Sequence, residues 1–303
     1  MKGKLFIDGQ AGTTGLGIAR RAATLPGLSL VTLDDSRRKL PEARAAAMAE
    51  ADLTVLCLPD DAAREAVALA PPGTRILDAS TAHRTAPGWV YGFQELSRSQ
   101  ASLIANAQHV SNPGCYATGA IALLRPLIDR GLLTPETSLS INAISGYSGG
   151  GKGMIAEHQA AGGPAFELYA LGLGHKHVPE IMAYGGLTRR PLFVPSVGHF
   201  AQGMLVCIPV FLEHLPGITT AARLAEAYSD HYLNTRNIRA HIGLWSESLQ
   251  PEALNNTDLL EIFVSANEAH GHAVLIARLD NLGKGASGAA IQNIQLMLGL
   301  NDE

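Results

Sequence analysis

The sequence predicts an α/β protein in two parts, a doubly wound parallel sheet followed by an α+β domain with a mainly antiparallel sheet. Three observations carry this. The first third alternates short β-branched or leucine-rich runs with alanine-rich stretches. After residue 135, strand-like runs crowd together with fewer helices between them, and the last residues return to a helical pattern. With 303 residues, 47% hydrophobic and 17% charged, the chain has enough apolar side chains for a core in each part.

In the first part KLFID, LSLVTLD, LTVLCLP and TRILDAS read as strands. Between them GIARRAATL and DAAREAVALA read as helices, the second opening on Asp60 and Asp61, whose charge suits a helix N-terminus. In the second part SLSINAISG, LFVPSVG, GMLVCIPVFL, DLLEIFVSA and HAVLIARLD are the expected strands, and ASGAAIQNIQLMLGL the closing helix. The run GYSGGGKG is glycine-rich enough to be expected as a loop, either mobile or closely approached by another group.

Charge and cysteine content narrow the function. A net charge of -4 offers no broad basic surface, so nucleic acid and anionic lipid are not expected partners and a small molecule is. No window reaches the roughly 18 uninterrupted apolar residues of a membrane span. Cys57, Cys115 and Cys207 are odd in number and far apart, which argues against a disulfide framework and for the reducing cytoplasm. No metal-like ligand spacing appears, so no metal is expected.

The first chemical signal is IDGQAGTTGLG, between the first strand and the first helix. Gly9, Gly12 and Gly15, with Thr13 and Thr14, form a turn whose backbone can approach a pyrophosphate at a helix N-terminus. The second strand then ends in Asp34, Asp35, Ser36, Arg37, Arg38 and Lys39. An acid there would accept the ribose hydroxyl of NAD, whereas Ser36 with Arg37 or Arg38 would hold a 2'-phosphate; the cationic cluster favours NADP.

The second signal is SNPGCYATGA. Asn112 and Pro113 read as an N-cap and a first-turn proline, and Ala117, Ile121, Leu124 and Ile128 follow at helical spacing. Cys115 then falls in the first turn, where free N–H groups favour thiolate and make a nucleophile. Cys57 and Cys207 sit inside apolar strands and read as small hydrophobes. The richest histidine cluster is GHKHVPEI: His175 or His177 would move the proton, while Glu180 orients a histidine or holds a substrate group. His199, in VPSVGHFAQG, is a rival base. Arg84, Ser145 and Lys152 are candidates for the anionic groups of a substrate.

Eight separated motifs run in one order along nearly the whole chain: GQAGTTG, CLPD, DASTAHR, YGFQEL, SNPGCYATG, SGYSGGGK, HKHVPEI and NLGKGASGAAIQN. In these the chain resembles the N-acetyl-gamma-glutamyl-phosphate reductases, specifically their shorter kind. The resemblance implies a Rossmann domain with a second domain like that of glyceraldehyde-phosphate dehydrogenase. It places NADP binding at residues 1–114 and 286–303, and catalysis, substrate binding and dimerisation at 115–285. It also implies a homo-oligomer, a place in arginine biosynthesis, and a thioester on Cys115 during reduction of an acyl phosphate to an aldehyde. The acid/base role passes to His177 first and His175 second. Two departures from the longer kind stand out: Ala117 replaces a proline, and VPSVGHFAQGM replaces a PHL-P-M-RG segment, so no role carries to His199. The alternatives are an aspartate-semialdehyde dehydrogenase and a nucleotide-sensing Rossmann protein without catalysis.

Overall fold

The computed structural model describes residues 3–217, 219–241 and 247–300. Residues 1, 2 and 301–303 of the expected first domain lie outside the described residues. The chain forms two compact units: Met1–Gln94 with Arg98–Pro113 and Ala286–Glu303, and Glu95–Ser97 with Gly114–Gly285.

The first unit runs β1 (Gly3–Asp8), α1 (Thr13–Ala22), β2 (Leu28–Val31), α2 (Pro41–Glu50), β3 (Leu53–Leu56), α3 (Asp60–Leu69), β4 (Ile76–Asp78), β5 (Val90–Tyr91), α4 (Gln100–Asn106) and β6 (His109–Ser111). Its six strands lie in the order β2-β1-β3-β4-β6-β5 and every pairing is parallel. Side chains alternate across a strand, so an apolar run buried on both faces feeds two cores. Leu5, Ile7, Leu53, Val55, Leu77 and Val110 build one of them with Ile18. Phe6, Leu56 and Ile76 build the other with Ala47, Met48, Ala63 and Ala66. The doubly wound sheet is therefore as the sequence predicts. Two boundaries differ: α1 begins at Thr13 and not at Gly17, and β2 stops at Val31, leaving Thr32 to Asp34 outside the strand.

The second unit runs α5 (Cys115–Asp129), β7 (Ser140–Gly146), α6 (Gly151–Ala161), β8 (Phe166–Leu168), α7 (Val178–Gly185), β9 (Leu192–Gly198), β10 (Met204–Phe211), α8 (Ala221–His231), β11 (Ile238–His241), β12 (Leu260–Asn267) and β13 (His272–Leu279). Its strands lie in the order β11-β12-β13-β10-β7-β9-β8. Four of the pairings are antiparallel, while β7 with β9 and β11 with β12 are parallel. The expected glycine loop is corrected here. Tyr147–Gly150 form a 3-10 turn and α6 starts at Gly151, so GYSGGGKG is a helix entrance.

Helix α5 is buried on nearly all sides from Tyr116 to Leu124, the mark of a central core helix. A Cβ on Gly119 would come within 2.7 Å of Val206 Cγ2, so glycine lets the helix lie close on β10. Pro126 interrupts its hydrogen-bond ladder, because proline has no N–H to give the Ala122 carbonyl. The Tyr232 hydroxyl donates to that carbonyl at 2.9 Å, and the Tyr228 hydroxyl of α8 donates to Leu123 O at 2.8 Å.

After β13 the chain makes a π-helical turn, Gly283–Ser287, and enters α9 (Gly288–Leu298), which adds Ala290, Ile291, Ile294 and Met297 to a core of the first unit. Lys284 in this turn is 1% exposed and its ammonium lies 2.7 Å from both oxygens of Glu95, itself almost wholly buried. A buried ion pair adds little against an apolar pair of the same shape, but a broken one leaves a charge stranded. Lys284→Met is therefore expected to cost about 3–5 kcal/mol, read as a lowered urea midpoint. Adding Glu95→Leu should recover most of that loss.

Candidate active site

Cys115 opens α5 and is half-buried. The N-cap is Gly114, with φ -77° and ψ 149°, and not Asn112. The Asn112 amide donates to Ala286 O at 3.1 Å and its oxygen accepts from Asn293 at 3.1 Å, so its side chain serves the first unit instead of the helix. The thiol still stands at the N-terminal end of α5, where the helix dipole favours negative charge. One wall is set by Gly285. Its N–H closes the π turn on Asp280 O at 2.9 Å, and a Cβ there would lie 2.9 Å from Cys115 Cβ.

The N–H of Gly114 donates to Glu180 Oε2 at 3.1 Å. Glu180 stands in the first turn of α7 and is 1% exposed, and its other oxygen lies 4.0 Å from Nε2 of His177, the N-cap of that helix. His175 is half-buried beside it, the two imidazoles meeting edge to face at 4.7 Å. Tyr116, the residue after Cys115, packs its ring against His175 at 5.7 Å and His177 at 5.9 Å. Cys115, Tyr116, His175, His177 and Glu180 therefore form one cluster. His199 does not join it: its Nδ1 lies 2.9 Å from Nδ1 of His158, whose ring stacks on both His199 and Tyr147.

Two of the remaining substrate candidates, Ser145 and Arg84, have local partners. The Ser145 hydroxyl, buried at the end of β7, donates to Gly146 O at 3.0 Å. Lys152 is exposed in the first turn of α6. Arg84 is buried in the first unit, where its guanidinium donates to Asn112 O at 3.0 Å and Ala79 O at 3.4 Å. Burial, with the nearby Asp78 and Asp8 carboxylates, pushes the Cys57 thiol up to about 12. Burial alone pushes Cys207 up to about 11. Neither is a thiolate at neutral pH.

In the first unit a cavity of about 520 Å³ is lined by Gly9, Gln10, Ala11 and Leu16, by Val31 to Leu33, and by Asp35, Arg38, Lys39 and Leu58. Gly9 has φ +87° and a Cβ on it would strike Cys57 O at 2.3 Å, so only glycine fits. Gly15 is held against the Gly9 carbonyl in the same way, at 2.6 Å. A Cβ on Gly12, the N-cap of α1, would meet only the Gly9 carbonyl at 3.6 Å, and Thr13 and Thr14 stand half-buried in the first turn. The chain itself thus requires two of the three glycines, and the third leaves open backbone at a helix N-terminus, which fits a pyrophosphate. At the far end Arg38 and Lys39 line the cavity, whereas Ser36 and Arg37 are not part of the lining.

Sequence reasoning missed a charged pair here. Asp8, at the end of β1, accepts two bonds from Arg44 of α2, at 2.9 and 2.6 Å, which neutralises a carboxylate beside the glycine turn. It also missed Tyr169, whose hydroxyl meets His175 at 3.4 Å. The first pair joins residues far apart in sequence, and Tyr169, six residues before His175, belongs to no motif. Among the described residues no group of three metal-ligating side chains comes together, and no helix is long and apolar enough to cross a membrane.

Known proteins match this chain along its whole length. Residues 115–281 match the family described as semialdehyde dehydrogenase, dimerisation domain. N-acetyl-gamma-glutamyl-phosphate reductase 2 of Pseudomonas putida is 50% identical over 97% of this chain and 96% of its own. N-acetyl-gamma-glutamyl-phosphate reductase of Chelativorans sp. is 47% identical over 98% of this chain and 99% of its own. Among solved structures, aspartate semialdehyde dehydrogenase II of Vibrio cholerae superposes with a TM-score of 0.69, covering 99% of both chains, but is only 14% identical, a likeness of fold alone. On identity and coverage together, the chain belongs to the N-acetyl-gamma-glutamyl-phosphate reductase family.

Proposed function

We propose that this chain catalyses the NADPH-dependent reductive dephosphorylation of N-acetyl-L-glutamyl 5-phosphate to N-acetyl-L-glutamate 5-semialdehyde, with Cys115 as nucleophile and His177 as acid/base. The single observation behind the residue roles is the Glu180 carboxylate, which holds the Gly114 N–H with one oxygen and faces His177 with the other. That arrangement sets thiol and imidazole in a fixed relation before substrate arrives.

The Cys115 thiolate attacks the acyl carbon, a C–S bond forms, and the C–O bond to phosphate breaks, leaving a thioester. The nicotinamide cofactor, when bound, supplies hydride to the thioester carbon. His177 gives its proton to the thiohemiacetal oxygen and takes it back as the C–S bond breaks and the aldehyde leaves. Glu180 orients that imidazole, a role its burial fits better than direct contact with substrate. The cofactor would be held at Gly9, Gly12, Thr13, Thr14 and Gly15, and its 2'-phosphate by Arg38 and Lys39 in place of the expected Ser36 and Arg37. The first unit is thereby assigned to cofactor and the second to chemistry.

Assembly with a second copy belongs to the same reading. The side chains of Leu205, Cys207, Pro209, Phe211, Val274 and Ile276 form an apolar strip across β10 and β13 that is only partly covered, while Val206 and Ile208 turn towards the core. All three cysteines are free thiols, in keeping with the cytoplasm as the compartment.

The deciding assay is phosphate-dependent reduction of NADP. N-acetylglutamate 5-semialdehyde should exceed aspartate semialdehyde in kcat/KM by about 100-fold or more, and the reverse order would point to the other dehydrogenase. Cys115→Ser should bind NADPH nearly normally while turnover falls by about 1,000-fold or more. Rapid alkylation of another cysteine with activity intact would remove Cys115 from the role. Arg38→Ala should weaken NADPH about tenfold, measured by cofactor fluorescence, and leave NADH and the Arg37→Ala variant close to wild type.

A further inference from the structure

Two of the sequence motifs, YGFQEL and NLGKGASGAAIQN, have no role in the chemistry proposed above, yet their charged residues meet. Glu95 of the first and Lys284 of the second are both buried, and both carboxylate oxygens lie 2.7 Å from the ammonium. Glu95, Cys115, Asp280, Lys284 and Gly285 all belong to the second unit, although the residues on either side of Glu95–Ser97 belong to the first.

The pair is fixed to a turn that touches Cys115. Lys284 and Gly285 lie in the π-helical turn Gly283–Ser287, a rare geometry that is frequent at functional sites. That turn is clamped from several sides. A Cβ on Gly283 would strike Thr257 O, so the turn lies directly on that carbonyl. The Asp280 carboxylate, wholly buried, accepts the Leu282 N–H at 2.9 Å, the Asn256 N–H at 2.8 Å and the Gln202 amide at 2.6 Å, and the Asp280 carbonyl accepts the Gly285 N–H at 2.9 Å. Lys284 adds the hold on Glu95, and Gly285 presents bare backbone to the thiol residue. A Cβ there would lie 2.9 Å from Cβ and 3.3 Å from Cα of Cys115.

A buried ion pair adds direction more than stability, because an ammonium centred on two oxygens admits one arrangement where methyl groups would admit several. Of the three staggered positions open to a side chain, a helix already disfavours one. Backbone packed against the Cys115 Cβ removes any that turns the sulfur towards Gly285. We propose that Glu95 and Lys284 are positioning residues for Cys115: through Gly285 their ion pair holds the thiol in one rotamer at the N-terminal end of α5. The ammonium acts through the turn and not as a charge on the sulfur, since Glu95 cancels it.

The test compares wild type, the double variant Glu95→Leu/Lys284→Met, Glu95→Asp and Gly285→Ala. Aspartate keeps both charges and withdraws the carboxylate by one carbon. The main readout is the rate at which iodoacetamide alkylates Cys115, followed by mass spectrometry across pH on the protein without cofactor. In the double variant the urea midpoint should stay near wild type while the alkylation profile moves up by about one pH unit, as a thiolate displaced from the helix end loses its stabilisation. Its kcat should fall about tenfold with KM within about twofold. Glu95→Asp and Gly285→Ala should move the profile in the same direction. A double variant with wild-type stability and a wild-type profile would make the pair merely structural and overturn the proposal, as would an unmoved profile in Gly285→Ala. If the double variant does not fold, Glu95→Asp and Gly285→Ala decide by the same two outcomes. The kinetic arm rests on the reductase reading and the alkylation arm does not. Failure of the wild type to turn over the acyl phosphate would therefore count against that reading, while the alkylation profile decides the positioning.

Discussion

One buried carboxylate joins the two helix starts on which the proposed chemistry depends. Glu180 lies in the first turn of α7, and its Oε2 takes the N–H of Gly114, the cap of α5. A carboxylate this deep is tolerable only where donors meet it. Two positive helix ends supply that field, since negative charge is favoured at each. The cost of burying the charge is thus offset by the same N-termini that present the thiol and the imidazole. The other contacts of the cluster build outwards from there: Tyr116 follows Cys115 and packs on both histidines, and Gly285 closes the opposite wall.

The proposed cofactor side obeys a similar rule by different means. An acid at the end of β1, next to a turn suited to phosphate, would repel its ligand if left bare. Asp8 is therefore sheathed by Arg44, whose guanidinium supplies two short bonds from a helix otherwise rich in alanine. The field around the turn is left to the N–H groups of α1. Both units thus place a charge close to their working backbone and cancel it with a partner from elsewhere in the chain.

That pattern explains what the sequence made legible. The strands, the doubly wound sheet and the mainly antiparallel second sheet follow from short-range alternation, which needs only neighbours along the chain. Cys115 and the HKHVPEI cluster are legible for the same reason, as local motifs. Asn112 misled because an asparagine before a proline has the form of a cap; its side chain instead bonds to Ala286 and Asn293, remote in sequence and invisible to a window. The glycine run misled because its composition says flexible while packing makes it the entrance of α6. Ser36 and Arg37 were judged by position, whereas the cavity is lined by Arg38 and Lys39. Tyr169 belongs to no motif, and only the fold of the segment brings its hydroxyl to His175.

Pro126 and Tyr232 are bound to one another across generations of sequence as well as across space. The proline leaves the Ala122 carbonyl without its helical donor, and the tyrosine hydroxyl fills the gap. If Tyr232 loses its hydroxyl first, a buried carbonyl is orphaned. If Pro126 first becomes a residue with an N–H, the helix satisfies its own carbonyl and the hydroxyl becomes dispensable. A lineage can leave this arrangement readily in one order and only through a weakened intermediate in the other, so the proline sets which replacements at position 232 are open to it.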